Sequence, residues 1–559
     1  MKKLWFLYAI LFPVYPVLFL YSYNNGYLPL GELFAPLAIT LCGAGMLLGL
    51  LRLITRKLDV AAALTAFWGL WFFSYGHLLG AAEFFPGRLM EVMGRSTIWI
   101  WLVVLALGAL VILRLRGRLA GGRAALFTVA AVLVAATAVK IATFEIGSTP
   151  AADPGLQQPA AVMQAPALEN PSMAPAQPPI AAASQKRNDP SNYPDIYYII
   201  LDGYARPDVF QELYGESNQA FVHFLQQKGF IIAGESHANY YITALSLASS
   251  LNMCYLEEVA RRLGKKSADQ RPAIKMLRHS ELFKLLHSRG YKIFSTGDEP
   301  FADIQVKDKK GGADEAVRAD PDFSTVVLDI TPLRLLVHRT HGGDLEEVDH
   351  AMYAARRASI FSFFNKLCAV PQSPSPRFVM AHLLAPHPPL VLNRDGSPVP
   401  QTRPFALNDN VIVTGSNFGF TRAEYIARYR EQYNFVTARI ERALSQLLAQ
   451  KNSRPRIIIL QSDHGPAAYH NWNNARAGYP RERMAILNAF HFSSPNHPQI
   501  SSRQTPVNTF RIICNYYFNT SYPRLPDKSF IANGSTIYDF IDVTDKTGKL
   551  PPDKLPRPQ

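Results

Sequence analysis

Four short stretches of this 559-residue chain put ligand-type or nucleophile-type residues where strands or helices should end. "IIILQSDHGP" (457–466) runs four apolar residues into Asp463-His464-Gly465, and "DIYYIILDG" (195–203) ends on Asp202. "RFVMAHLLAPH" (377–387) carries His382 and His387. Carboxylate and neutral imidazole are both good ligands for a divalent ion. Taken singly each has a bland reading: Asp-His-Gly and Asp-Gly suit surface turns, and His382 suits a satisfied core position. An open α/β sheet, however, collects its ligands just beyond the carboxyl ends of its strands. Such strand ends in one sheet would converge on one crevice. "NYYITALSLASSLNM" (239–253) offers a nucleophile: Thr243 stands where an aromatic, strand-like stretch meets a helix rich in Ala, Leu and Ser. Its bland role is an N-cap. A helix start also presents free N–H groups to an anion, and a hydroxyl touching a metal can lose its proton and attack phosphorus or sulfur. Ser246, one turn later, is the reserve nucleophile.

The elements that must position these residues read as alternating strands and helices. Strands are predicted at "DIYYIILDG", "GFIIAG", "YKIFSTG", "RFVMAHLLAPH", "RIIILQSDHG" and "RMAILNAF". Helices are predicted over 207–228 (opened by Pro207), 280–290 (closed by Gly290), 421–451 and about 505–518. This order predicts an α/β domain, a mostly parallel sheet sandwiched by helices.

The first third differs. Residues 1–146 hold five apolar runs, about 5–23, 30–51, 60–82, 96–113 and 124–144, each near the roughly 20 residues that span a hydrocarbon core. The first lacks a small-residue cleavage pattern and reads as an uncleaved anchor. Lys2, Lys3, Arg52, Arg56, Lys57, Arg114, Arg116, Arg118 and Arg123 fall at the amino end and in the second and fourth loops, against Arg88 and Arg95 in the first and third. The positive-inside rule then puts the amino end in the cytoplasm and everything after residue 146 outside. His77 is the clearest interior ionisable group; an anchor is expected rather than a transporter.

Between the halves, 147–194 holds eight prolines from 150 to 179 amid Ala and Gln, an extended tether. The outer domain is then 195–559. It has only Cys254, Cys368 and Cys514, too few for a disulfide framework, so it must stand on its core. The chain's formal charge of +14 partly reflects the loops between the apolar runs, but from residue 191 on there are still 43 Lys and Arg against 35 Asp and Glu. A moderately basic outer domain suits an anionic membrane surface or anionic substrate without choosing between them. No zinc-finger spacing or nucleic-acid module occurs, so nucleic acid is not an expected partner.

In this order "YYIILDGYARPD", "TALSLASSLN", "HLLAPHPPL" and "LQSDHG" resemble the sulfatase branch of the alkaline phosphatase superfamily, over about 195–520. The five-span anchor with an outer domain resembles lipoteichoic acid synthases and lipid A phosphoethanolamine transferases. The resemblance implies an alkaline-phosphatase-like fold behind an all-α five-helix transmembrane domain. It implies a divalent ion, zinc or manganese, on Asp202, Thr243, Asp463 and His464, with Thr243 as nucleophile. His382 and His387 match paired histidines that handle the phosphate or leaving group, and His470 in "GPAAYHNW" matches another substrate-side histidine at a shorter spacing. "TPVNTFR" (505–511) resembles a late segment of the same proteins.

Departures narrow the reading. Cys254, Cys368 and Cys514 are followed by "YLEE", "AVPQ" and "NYYF", and "SLASS" lacks Pro and Arg, so no formylglycine motif is present. The transferases are rich in disulfides, and the lipoteichoic acid enzymes carry Glu at the position of Asp202. The expectation is a membrane-anchored, metal-dependent hydrolase or transferase acting on phosphoesters, its substrate a membrane lipid or envelope glycan. The alternatives are a sulfate- or phosphate-ester hydrolase without transfer, and a non-enzymatic membrane scaffold on an inactive fold of this kind.

Overall fold

The structure, a computed structural model, describes residues 4–24, 30–82, 88–148, 193–297, 323–333, 345–400 and 420–548. The chain divides into two compact units: Met1–Pro150 with Asp320–Met352 and Gln401–Pro404, and the remainder. Most of the tether expected over 147–194 lies outside the described residues.

The first unit is helical: Tyr8–Asn24, Gly31–Thr55, Leu58–Phe72, Tyr75–Ala82, Arg88–Arg114 and Leu119–Ser148. Trp5–Tyr23, Gly31–Thr55, Ser96–Arg114 and Leu119–Ile146 are long and apolar enough to cross a membrane. The span expected at 60–82 is instead two helices broken at Phe73–Ser74. One local and one distant hydrogen bond hold the break. Ser74 Oγ donates to Trp71 O at 2.7 Å, and Gly76 N donates to Ile330 O at 3.2 Å. Ile330 follows a short helix, Phe323–Asp329, that the sequence reading assigned to the outer domain. Its Phe323 and Val327 pack with Val17, Tyr21, Leu33, Phe73 and Ile141 of the amino-terminal helices. Phe323 N donates to Glu32 Oε2 at 3.1 Å, which serves one of the helix's unpaired amides. His77 lies on Tyr75–Ala82, the second of the two helices at the break, with its side chain exposed on the helix surface.

The second unit is built on a six-stranded sheet in the order β2-β6-β5-β1-β4-β3. The strands are β1 Asp195–Leu201, β2 Ile231–Ile232, β3 Lys292–Gly297, β4 Arg377–Leu383, β5 Arg456–Gln461 and β6 Asn488–Phe492. β5, β1, β4 and β3 run parallel; β6 is antiparallel to β5, and the short edge strand β2 is antiparallel to β6 and so runs in the direction of the other four. β1 is buried throughout, as an apolar run in a parallel sheet should be. Its side chains alternate between two cores. Tyr197, Ile199 and Leu201 pack on helices 207–214 and 422–449, whereas Ile196, Tyr198 and Ile200 pack on helices 243–252 and 506–518.

Two predicted elements differ. The helix expected over 207–228 is two, Pro207–Tyr214 and Gln219–Gln227, because Gly215 caps the first with φ of 74°. "RMAILNAF" is only partly strand: Arg483 and Met484 close a five-residue helix opened by Pro480, and β6 begins at Asn488. The long helix Arg422–Ala449 opens on a capping box, Thr421 with Glu424.

The amino ends of the strands carry a buried ion pair. Arg377 donates through its backbone N to Asp195 Oδ1 at 2.9 Å and through Nε and a terminal nitrogen to Oδ2, tying β4 to β1. The carboxyl ends of β5, β1 and β4, side by side, carry the polar residues singled out from the sequence.

Candidate metal centre and nucleophile

Asp202 follows the last residue of β1, and Asp463 and His464 follow β5 by one and two residues beyond Ser462. β1 and β5 are hydrogen-bonded neighbours in register, Ile200 opposite Gln461, so the side chains meet. One oxygen of each carboxylate and one imidazole nitrogen lie within 4.8 Å of one another. His464 Nε2 is 3.6 Å from Asp202 Oδ1 and 3.4 Å from Asp463 Oδ2. All three residues are 0–1% exposed, which rules out the surface-turn reading of Asp463-His464-Gly465.

Hydrogen bonds orient each ligand atom. Asp463 Oδ1 accepts from Gly203 N at 3.2 Å and His464 N at 2.9 Å, which turns Oδ2 toward His464. His464 Nδ1 contacts Gly465 O at 3.0 Å; a carbonyl only accepts, so Nδ1 donates and the neutral ring carries its lone pair on Nε2. A positive φ of 67° at Gly203 lets the chain turn sharply after Asp202. Gly465 is needed for a different reason. A Cβ there would sit 2.0 Å from Glu482 O, because Gly465 N bonds Arg483 O at 2.7 Å and the two backbones touch.

Thr243 is the first residue of the helix Thr243–Asn252, and Ile242 occupies the N-cap position. The capping role expected of a hydroxyl here is therefore not the one Thr243 plays. Its Oγ1 donates to Asp202 Oδ2 at 3.4 Å and lies 3.2 Å from His464 Nε2. Ser246, the reserve nucleophile, is fully buried and donates to Asp463 O at 2.7 Å, so its hydroxyl ties the helix to the ligand loop. His382 lies within β4, opposite Ile200 of β1, with Nε2 3.3 Å from Asp202 Oδ2. His387 is half-buried beyond β4; its ring centroid is 6.3 Å from that of His464. His470 packs edge-on to Trp472 at 4.6 Å and lies 5.7 Å from Tyr241.

Arg483 was not singled out in the sequence. Its Nε donates to Tyr241 O at 2.7 Å, one terminal nitrogen donates to Gly465 O at 2.9 Å, and the other lies 3.2 Å from His464 Nε2. It thus joins the stretch before Thr243 to the ligand loop. The signal was the stretch "PRERM" (480–484), three charged residues in five just ahead of the apolar run "AIL", all of them buried. Glu482 in the same stretch accepts from Ala468 N, Tyr469 N and Tyr214 OH; burial pushes its carboxyl up to about 7 against those hydrogen bonds.

A cation fits this donor set. Asp202 Oδ1 and Asp463 Oδ2 are buried and accept no hydrogen bond, although the three donor atoms converge. Two carboxylates without exposed surface cost free energy unless a positive charge is shared between them. Two carboxylates, one imidazole and an adjacent hydroxyl suit zinc or manganese.

No protein-family model matches the chain, and no curated protein matches it by sequence. Among solved structures, the chain is similar to the integral membrane lipooligosaccharide phosphoethanolamine transferase A of Neisseria meningitidis, at 12% identity and a TM-score of 0.35, over 93% of this chain and 96% of that one. It is similar to the periplasmic domain of EptC from Escherichia coli, in complex with zinc, at 12% identity and a TM-score of 0.37, over 65% of this chain and 94% of that one. It is also similar to the phosphonate monoester hydrolase of Agrobacterium radiobacter, at 14% identity and a TM-score of 0.33, over 61% and 80%.

Proposed function

We propose that this chain is a membrane-anchored, metal-dependent enzyme that cleaves or transfers phosphoesters outside the cytoplasm through Thr243. The observation that carries the proposal is the placement of Thr243 Oγ1 within 3.2–3.4 Å of His464 Nε2 and Asp202 Oδ2, at the start of a ten-residue helix. The anchor is 1–146 with its amino end in the cytoplasm, 147–194 is the tether, and the catalytic domain is 195–559. The membrane is the cytoplasmic one, and the substrate is a phosphodiester of a membrane lipid or envelope glycan.

Asp202, Asp463 and His464 would hold the ion, with Thr243 beside them. When bound, a divalent ion supplies positive charge that lowers a hydroxyl pKa and neutralises a phosphoryl oxygen. The chain's own residues do the rest. Thr243 donates its hydrogen to Asp202, which leaves its lone pairs directed away from the carboxylate and available for in-line attack. The free N–H groups of the first helical turn stabilise the phosphoryl oxygens. Attack forms an Oγ1–P bond and breaks the P–O bond to the leaving group; the Oγ1 proton passes to Asp202 Oδ2, and the leaving oxygen takes a proton from a histidine in its imidazolium form. His387 suits that task, being half-buried, while His382, 4% exposed and against Asp202, orients the carboxylate. Water or a sugar hydroxyl then attacks phosphorus, giving its proton to the same histidine, and breaks the Oγ1–P bond, so that Thr243 recovers its proton from Asp202. His470 is assigned to the substrate side through its contacts with Tyr241 and Trp472.

The test is mass spectrometry of the Thr243 peptide from full-length protein, loaded with zinc or with manganese, incubated with phosphatidylethanolamine and phosphatidylglycerol vesicles and acid-quenched. A phosphoryl or phospho-headgroup adduct on Thr243 is expected, absent from Asp463→Asn. Turnover of either lipid with Thr243 never modified would overturn the covalent route, and no turnover of any phosphodiester would overturn the enzyme reading.

A further inference from the structure

The loop after β4 reads Ala385-Pro386-His387-Pro388-Pro389-Leu390-Val391-Leu392. Its three prolines have no N–H to donate, so the segment cannot form a hydrogen-bonded ladder of its own. Buried carbonyls and amides must nevertheless find partners. One side chain supplies them. Gln432, fully buried on the helix Arg422–Ala449, directs Nε2 to Pro386 O at 3.4 Å, His387 O at 3.2 Å and Pro389 O at 3.3 Å. Its Oε1 accepts from Val391 N at 2.8 Å and Leu392 N at 3.3 Å. A primary amide offers two donor hydrogens and two lone pairs, and this loop uses both ends.

The same helix face holds the neighbouring loop. Tyr429, three residues before Gln432, donates to Gly203 O at 2.7 Å and accepts from Ala205 N at 3.0 Å. Tyr433 donates to Ala205 O at 3.2 Å. The turn after Asp202 and the loop of His387 are therefore set by one rigid element, and His387 N joins them by donating to Asp202 O at 3.0 Å. Within its loop, His387 Nδ1 donates to Pro388 O at 2.6 Å, so Nε2 is the nitrogen left to face the cluster, and it donates a proton there from the imidazolium form of the ring.

We infer that Gln432 is a positioning residue: its amide fixes the proline-rich backbone from which His387 presents its imidazole to the Thr243 and His464 cluster. The part played by His387 rests on the functional reading above, whereas the hold of Gln432 on the loop does not. A misplacement of about 1 Å in a proton donor costs roughly 100-fold in rate, so an amide far from the reacting atoms can matter through geometry alone.

The experiment uses the full-length, zinc-loaded protein in detergent, as wild type, Gln432→Met and Gln432→Glu, each also in a His387→Asn background. Methionine keeps the volume and removes every hydrogen bond. Hydrogen exchange of the peptide covering Val391 and Leu392 is expected to quicken by about tenfold or more in Gln432→Met, while peptides of the helix Thr243–Asn252 stay unchanged. Turnover of bis(4-nitrophenyl) phosphate is expected to show kcat lowered by about 10- to 100-fold, with KM and zinc content within about twofold. In the His387→Asn background the same substitution should change kcat by less than about twofold, since the path it acts through is gone. Should Gln432→Met fail to fold, Gln432→Glu decides: it keeps the acceptor for Val391 and Leu392 and loses the donors, so those amides stay protected while kcat falls. Unchanged exchange at Val391 and Leu392 in Gln432→Met would overturn the inference. So would an equal loss of kcat in both backgrounds, or a loss traced to zinc content. A wild type inert toward the diester would sink the functional reading instead, and the exchange result would still decide what Gln432 holds.

Discussion

Replacing Gly465 with alanine is the smallest change that should disable the candidate centre. The added Cβ would stand 2.0 Å from Glu482 O and 3.2 Å from Glu482 C, against backbone rather than a flexible side chain. Ordinary contact for such a pair is near 3.5 Å, so one backbone must retreat by more than about 1 Å. Neither can do so freely. Gly465 N is bonded to Arg483 O at 2.7 Å, and Arg483 in turn donates to Gly465 O. Overpacking of this kind costs about 1–3 kcal/mol, and the rigidity of both sides argues for the upper end. The displacement falls on the residue next to His464. A metal ligand moved by about 1 Å leaves bonding range, since ligand distances are near 2 Å. Gly465→Ala should therefore fold with lowered thermal stability, retain well under half of the wild-type zinc and lose about 100-fold or more in phosphodiesterase rate. Thermal unfolding of the full-length protein, metal analysis after gel filtration and a chromogenic diester assay read the three effects. Wild-type zinc content and rate in Gly465→Ala would refute the reasoning, because the ligand loop would then not depend on this backbone contact.

Glu482 should make stability pH-dependent in an unusual direction. Its carboxyl is raised by burial from the ordinary 4.5 to about 7, so between these values the folded chain binds more protons than the unfolded one and stability falls as pH rises, flattening above pH 7. The difference corresponds to at most about 3 kcal/mol across that window, and Glu482→Gln should remove this slope from denaturation curves. Asp195→Ala strands the buried Arg377 guanidinium and should cost about 3–5 kcal/mol at unchanged zinc affinity, as the pair lies at the amino ends of the strands, opposite the cluster. Thr243→Ala should keep most of the zinc and lose turnover. Ser246→Ala, at the reserve nucleophile, should cost about 1–3 kcal/mol of stability, because it leaves the buried Asp463 carbonyl without its donor.

The strand ends were legible because a parallel sheet writes itself as apolar runs, and a polar residue closing such a run stands out. Asp202, Asp463 and His464 needed no more than that rule, together with the rule that neighbouring strand ends share a crevice. Thr243 was legible from the change of pattern at a helix start. What the sequence hid is what depends on contact between distant segments. Gln432 sits among Glu431, Tyr433 and Asn434 with nothing to distinguish it, and its role exists only because a proline-rich loop some 45 residues earlier lies against it. Arg483 was read as the start of a strand and Glu482 was not singled out, yet both are buried behind the ligand loop, Glu482 on Ala468 N and Tyr469 N and Arg483 on Gly465 O. The break at Phe73–Ser74 was hidden for the same reason, since its partner Ile330 lies far along the chain. The split of 207–228 was not hidden: Gly215 is a helix stop that the pattern of apolar residues on either side outweighed.

The central claim is that Asp202, Asp463 and His464 hold one divalent ion beside the Thr243 hydroxyl. Anomalous diffraction at the zinc edge, from crystals of the full-length protein loaded with zinc, tests it most directly. The account predicts a single strong peak about 2 Å from an oxygen of each carboxylate and from His464 Nε2, within reach of Thr243 Oγ1, and no such peak in Asp463→Asn. A strong peak bound elsewhere with this cluster empty, or an undiminished peak in Asp463→Asn, would contradict it.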